Sequence, residues 1–271
     1  MTTSFTPAGY PAAARPANRY VRFHDPVMAP LPAHVREVLA AGPLPHDWLP
    51  GPDSAPTLLE PGYGRAETGY SLGADGSAHV FVLTAMPGVT PAMWDWCFGW
   101  HGNDPQRYQL WHPQAHVHVG WADGLPDEDR YIGRTSNVVE FIGTQRRRFS
   151  IRFIRPAEAG LDESRLAAQG EVAICARAGL TGLPVDASWM IHQLRPVPGG
   201  CEMRSRFWIA GRNLSLPWLP GKAGQLAARV LGRLAAPGKA DAEALLIHCA
   251  EEMNHLAARL PALYAEFGPG C

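Results

Sequence analysis

The chain has 271 residues, 46% of them hydrophobic, and carries 24 lysines and arginines against 25 aspartates and glutamates. It is long and apolar enough to bury a full core as one large domain with a smaller appendage, which excludes a disordered tail. The balanced charge leaves no net field to draw it onto nucleic acid or an anionic membrane, and no window approaches the ~20 apolar residues of a membrane span.

The first thirty residues hold prolines at 7, 11, 16, 26 and 30. They contain no apolar run of the ~7–15 residues of a signal peptide, so a cytoplasmic protein is expected. Residues 1–76 read as a proline-rich arm with a small helical region, whose helix PAHVREVLAAG starts on a proline and stops at a glycine. The main domain is expected over 77–271. It opens with a strand in DGSAHVFVLTAMPG, followed by short helices from TPAMWDWCFGWHG, where Thr90 is the N-cap and Pro91 takes the first helical position. Further strands are predicted at SNVVEFIG, RRFSIRFIRP, GEVAICARAG, ASWMIHQLRPVP and GCEMRSRFWIAG, the last two forming a hairpin through Gly199-Gly200. The basic run Arg146, Arg147 and Arg148 sits next to FSIRFIRP, whose alternation suggests the outer face of a strand, and is expected to be solvated. One long helix is predicted from KADAEALLIHCAEEMNHLAARLPALYAEFG, with Leu245, Leu246, Cys249, Met253, Leu256 and Leu260 as its apolar stripe.

Few helices are available to cross over between these strands, so the sheet should be mostly antiparallel. Strand, short helices, several antiparallel strands and a long C-terminal helix is the order of an α+β helix-grip fold. In that fold a curved sheet wraps the last helix and leaves room between them for a small molecule.

Several polar residues stand where apolar ones are expected. His248 and Glu252 are four apart on the long helix, so an imidazole and a carboxylate lie one above the other and can share a cation. Glu251 and His255 form a second such pair, rotated away and expected to be solvated. Glu140 interrupts an apolar strand, and an ionised carboxylate buried there needs a partner or a metal. YQLWHPQAHVHVGW supplies His112, His116 and His118, of which the last two are expected to share one strand face. His192 alternates with Met190 and Leu194, so all three face one side. The bland counterparts are an exposed charge pair, a solvent-facing strand and a satisfied core histidine. The five cysteines, Cys97, Cys175, Cys201, Cys249 and Cys271, lack a C-x-x-C pair and are expected to be reduced. Cys249 and His248 point about 100° apart on the helix and do not form a natural ion pair.

Taken in order, MPGVTPAMWDWCFGWHGNDPQRYQLWHPQAH, VVEFIG, SWMIHQ and HCAEE resemble the zinc-dependent 2,4-diacetylphloroglucinol hydrolase family, which includes phloretin hydrolases, from about residue 60 to the end. The resemblance implies a Bet v 1-like fold and one Zn2+ per chain held by His116, Glu140, His248 and Glu252. His112 is the rival for the first position, and iron, cobalt or manganese would also suit the donor set. The resemblance further implies that His192 and Tyr108 hold substrate phenols and shuttle a proton, with Met190, Trp111 and Phe207 lining the pocket. Two departures bear on the substrate. Phe207 has no hydroxyl where a second phenol-binding tyrosine would fall, and Val119 stands where an asparagine would.

The implied activity is hydrolysis of the carbon–carbon bond beside an acyl carbonyl, in an acyl phenol or a β-diketone. The partner is then a small-molecule aromatic ketone, met by the chain alone or as a homodimer. Two other readings of the same fold are a carrier of an apolar aromatic or polyketide ligand and a metal-free polyketide cyclase. Metal content separates them from the first.

Overall fold

A computed structural model of the chain describes residues 18–126 and 130–270; the prolines at 7, 11 and 16 and Cys271 lie outside the described residues. The alternating segments form strands β1 (Gly69–Leu72), β2 (Ser77–Pro87), β3 (His116–Trp121), β4 (Thr135–Ile142), β5 (Gln145–Ile154), β6 (Val172–Leu180), β7 (Ser188–Val197) and β8 (Gly200–Ala210). They make one sheet in the order β1-β2-β8-β7-β6-β5-β4-β3, and every adjacent pair is antiparallel. The helices are α1 (Ala33–Ala41), α2 (Pro91–Trp100), α3 (Pro105–Tyr108), α4 (Glu163–Gln169), α5 (Gly221–Leu234), α6 (Lys239–Ala257) and α7 (Leu260–Phe267).

α6 packs on β1 and β2 at one edge of the sheet and also reaches β4, next to the opposite edge. In a flat sheet β2 and β4 would lie about 24 Å apart at ~4.8 Å per strand, more than twice the ~10 Å width of a helix. The sheet is therefore curved around α6, which is the helix-grip arrangement expected. Period-two alternation turns Val80, Val82, Ile174, Met190, Leu194 and Met203 inward, where they meet Leu246, Cys249, Met253 and Leu256 of α6 in one core.

The hairpin from β7 to β8 turns at Pro198-Gly199, with Gly199 at φ +83°, and pairs Val197 with Gly200. Thr90 caps α2 through its side-chain oxygen, which accepts from the Met93 N–H at 3.4 Å. The single C-terminal helix expected from sequence is instead two. The break falls at Ala258 and Arg259 because Pro261 has no N–H for the Ala257 carbonyl and its ring would strike it. Helix α5 was not expected, since Gly221, Gly224 and Gly232 lower its helix propensity. Gly224 and Gly232 serve contact: a Cβ at either would strike the carbonyl of Leu219 or of Gly211.

The segment before β1 covers the outer face of the sheet, where Leu49, Leu58 and Leu59 pack on Phe81, Cys175, Ile191 and Trp208. β1 itself comes from within residues 1–76 and pairs with β2. Beside this second core, Arg204 grips the Glu67 carboxylate with Nε at 2.9 Å and Nη2 at 2.8 Å, and Arg206 adds a third hydrogen bond. Burial pushes the Glu67 carboxyl up, but the Arg204 hydrogen bonds and the charges of Arg206 and Arg204 outweigh it and bring it from 4.5 down to about 2. Glu67→Gln should destabilise the fold by about 3–5 kcal/mol at pH 7, because two buried guanidiniums lose their counter-charge. The Glu67 contribution is complete above its unfolded value of 4.5 and is lost as pH falls through about 2. Urea unfolding at pH 7 and at pH 3 should show the gap between wild type and variant narrowing in acid.

Candidate metal centre

Each polar residue of the centre is placed by its own local structure. Asp104 caps α3 by accepting from the Gln106 N–H at 2.8 Å, and this short helix turns Tyr108 into the core. The Tyr108 carbonyl accepts a hydrogen bond from His116 Nδ1 at 2.9 Å. A carbonyl can only accept, so His116 carries its proton on Nδ1 and Nε2 is left as a bare lone pair. His116 begins β3 directly opposite Glu140 on β4, and α6 supplies His248 and Glu252 from the other side.

These groups converge. His116 Nε2 lies 3.3 Å from Glu252 Oε2 and 3.6 Å from Glu140 Oε2, and His248 Nε2 lies 3.7 Å and 3.9 Å from the same two oxygens. His116, His248 and Glu252 present ligand atoms that all fall within 4.8 Å of one another. A tetrahedral cation with ligands at ~2.0–2.1 Å requires ligand atoms ~3.3–3.4 Å apart, which a small contraction of the observed set would reach. His116, His248 and Glu252 therefore fit a divalent cation in donor type and spacing, and Glu140 Oε2 lies within 3.9 Å of both histidines.

Their electrostatics point the same way. His116 Nε2 is buried with no hydrogen-bond partner among the described residues. Burial, with some relief from the Tyr108 hydrogen bond, pushes the Glu140 carboxyl up from 4.5 to about 7, and burial together with the Glu140 charge pushes Glu252 well above the usual carboxylate range. Burial, then the neighbouring His248 and His112, holds His116 well below the usual imidazole range, while burial and His112 bring His248 down to about 3. Two carboxylates crowded in a low-dielectric site repel each other unless a cation lies between them. Glu140 and Glu252 are 8% and 9% exposed, so neither is the solvent-facing residue of the bland reading.

Tyr108 belongs to the same assembly. Its ring stacks on His116 with centroids 3.7 Å apart at 9°, and its hydroxyl donates to Glu140 Oε2. Burial, then the Glu140 charge, raises the phenol well above its ordinary value, so it stays a donor. His112 stacks on His248 with centroids 5.1 Å apart, while its Nε2 lies 3.1 Å from Glu251 Oε2.

The structure corrects two expectations here. A β-bulge between His116 and His118 sets His116 opposite Glu140 but His118 opposite Val139, so the two do not share a face and His118 is exposed. Glu251 and His255 are not a solvated pair: Glu251 faces His112, and His255 is 1% exposed.

The other residues singled out line the same interior. Met190, His192 and Leu194 all face the core, as alternation requires. The His192 ring lies 5.5 Å from Phe207 and 6.0 Å from Phe98, Phe98 lies 5.0 Å from Trp111, and Trp111 lies 6.4 Å from His116. An aromatic layer thus joins His192 to His116 of the candidate centre. Val119 packs against Tyr108 and Val138. Cys249 is buried on α6, where burial pushes its thiol well above the usual range and away from nucleophile chemistry. Two features escaped the sequence reading: the Tyr108–Glu140 hydrogen bond and Ser205, whose Oγ lies 2.8 Å from His192 Nδ1. Ser205 could have been found from its alternation with Met203 and Phe207.

Residues 49–265 match the family model described as the DAPG hydrolase PhiG domain. The chain belongs to the DAPG hydrolase family. It is 36% identical over 224 residues to a 2,4-diacetylphloroglucinol hydrolase of Pseudomonas sp, an alignment that covers 78% of this chain and 75% of that protein. It is 34% identical over 260 residues to the 2,4-diacetylphloroglucinol hydrolase of Pseudomonas protegens, covering 91% and 83%. It is 30% identical over 258 residues to the phloretin hydrolase of Eubacterium ramulus, covering 91% and 89%. In this DAPG hydrolase-family chain the candidate centre lies inside the grip of sheet and helix. The surface clefts around Arg229, His34 and Trp218 contain none of its residues. Among the described residues no helix is long and apolar enough to cross a membrane.

Proposed function

We propose that this chain is a zinc-dependent hydrolase that cleaves the carbon–carbon bond between an acyl carbonyl and the ring carbon of an acyl phenol. The observation that carries the reading is the convergence of His116, Glu140, His248 and Glu252, with His116 Nε2 buried and without a hydrogen bond among the described residues. Membership of a family whose named relatives act on 2,4-diacetylphloroglucinol and phloretin supports the substrate class.

The bond breaks only if the departing carbon can accept the electron pair. With the ring carbon protonated, as in a keto tautomer, water adds to the acyl carbon, the carbon–carbon bond breaks, and its electrons pass through the ring to a phenolic oxygen. The products are a carboxylic acid and the deacylated phenol, which together account for the atoms of the ketone and one water. Bound zinc would supply a Lewis acid for the acyl oxygen and would acidify a water. His116, Glu140, His248 and Glu252 would hold it. Tyr108 would donate to Glu140 while its oxygen accepts from a substrate phenol O–H, since one hydroxyl can do both. His192 would hold the phenolic oxygen that takes up charge as the fragment departs. Trp111, Phe207 and Met190 would form apolar walls for the ring.

Incubation with 2,4-diacetylphloroglucinol, phloretin and simple β-diketones should release one carboxylic acid per bond cleaved from at least one acyl phenol, detected by chromatography. Release of acid that survives exhaustive chelation would count against the metal. Two substitutions separate roles inside the site. Tyr108→Phe should weaken metal affinity by about 10–100-fold, the usual effect of removing a partner that orients a ligand. His116→Ala should empty the site whereas His112→Ala should leave it filled; titration with zinc and a competing chelator reads both.

A further inference from the structure

Strand alternation turns Cys201, Met203, Ser205 and Phe207 of β8 toward the core, and Ser205 is 0% exposed. On β7 its direct cross-strand partner is His192, and Ser205 Oγ lies 2.8 Å from His192 Nδ1. From α6 Cys249 lies beside the same hydroxyl. The serine thus lies between α6 and His192. Among the described residues His192 Nε2 makes no hydrogen bond, so Ser205 is what fixes the ring.

A hydroxyl has one proton to give. It can donate to Nδ1, or accept from an Nδ1–H and turn its own proton toward the Cys249 sulfur. Imidazole nitrogen is a strong acceptor and neutral sulfur a weak one, so the first order is favoured. That order places the remaining imidazole proton on Nε2. We propose that Ser205 is a positioning residue, which donates to Nδ1 of His192 and thereby holds the ring as the Nε2–H tautomer with that N–H aimed at the substrate ring oxygen. The inference rests on the reading above only in taking the substrate to be an acyl phenol. A neutral imidazole fixed in this way acts as a preorganised donor toward developing oxyanion charge and not as a base.

Nitrogen-15 spectra of ring-labelled histidine, with the His192 signals assigned by their loss in His192→Gln, report which nitrogen bears the proton. Wild type should show His192 as Nε2–H, Ser205→Ala should show a mixture or Nδ1–H, and Ser205→Thr should restore the wild-type form. On 2,4-diacetylphloroglucinol, Ser205→Ala should lower kcat by about 3–10-fold, the scale of one neutral hydrogen bond, with KM and zinc content unchanged, and Ser205→Thr should recover most of the loss. An Nδ1–H tautomer in wild type, or wild-type kcat in Ser205→Ala, would overturn the proposal. Absence of turnover in wild type would sink the substrate assignment alone, because the spectra still decide the tautomer.

Discussion

His192→Ala should keep its fold and its full metal content while kcat on a cleaved acyl phenol falls by about 10²–10³-fold, the range for removing one preorganised donor from a developing oxyanion. Among the described residues the hydrogen-bond and ring partners of His192 are Ser205, Phe98 and Phe207, none of them in the ligand set. Burial holds its imidazole down to about 3, so the ring is neutral throughout the pH range of the assay. Its loss should therefore lower kcat without adding or removing a titration from the neutral limb of the pH–rate profile. Because the interaction strengthens as charge leaves the scissile bond, kcat should change more than KM. Steady-state kinetics with metal analysis on the same preparation checks this. Loss of metal would place His192 among the ligands, and unchanged kcat would make it a satisfied core histidine.

Glu252→Ala should have the larger effect, reducing kcat by more than about 10³-fold, since it removes the means of holding the cation and not one donor around it. Glu252 Oε2 lies 3.3 Å from His116 Nε2, nearer than the Glu140 oxygen at 3.6 Å, and it also closes the i,i+4 pair with His248. The same substitution should not weaken the metal-free fold. Burial and Glu140 already press the Glu252 carboxyl well above its ordinary value, so an ionised Glu252 is unfavourable in the empty site. In chelator at neutral pH the variant should melt at or above the wild-type temperature, and addition of zinc should raise only the wild-type Tm. A variant that melts far below chelated wild type would make Glu252 a structural residue.

Much of the fold was legible because its signals are local. Period-two alternation marked β2 and β4 to β8, and the i,i+3/i+4 stripe of Leu246, Cys249, Met253 and Leu256 marked the gripped helix. Glu140 was legible as an anomaly, a charge between apolar neighbours that needs a partner wherever it is buried. What was not legible depends on distant contacts. Helix α5 is built on glycines whose value lies in touching the Leu219 and Gly211 carbonyls, a cost by propensity and a gain only in three dimensions. The facing of His118 departs from simple alternation because one bulge residue reverses it, and no local sequence feature marks the bulge. The burial of His255, near residues as distant in sequence as Asp25 and His112, likewise depends on packing that helical spacing cannot show. Ser205 carries no signal beyond inward alternation, and only its register opposite His192 gives it a role.

The central claim is that His116, Glu140, His248 and Glu252 together hold one divalent cation, and elemental analysis of the purified protein tests it most directly. The account predicts one equivalent of zinc per chain in wild type, retained in His192→Ala and His112→Ala and absent from Glu252→Ala and His116→Ala. Wild-type protein that acquires no stoichiometric metal after incubation with zinc, or Glu252→Ala protein that retains a full equivalent, would contradict it.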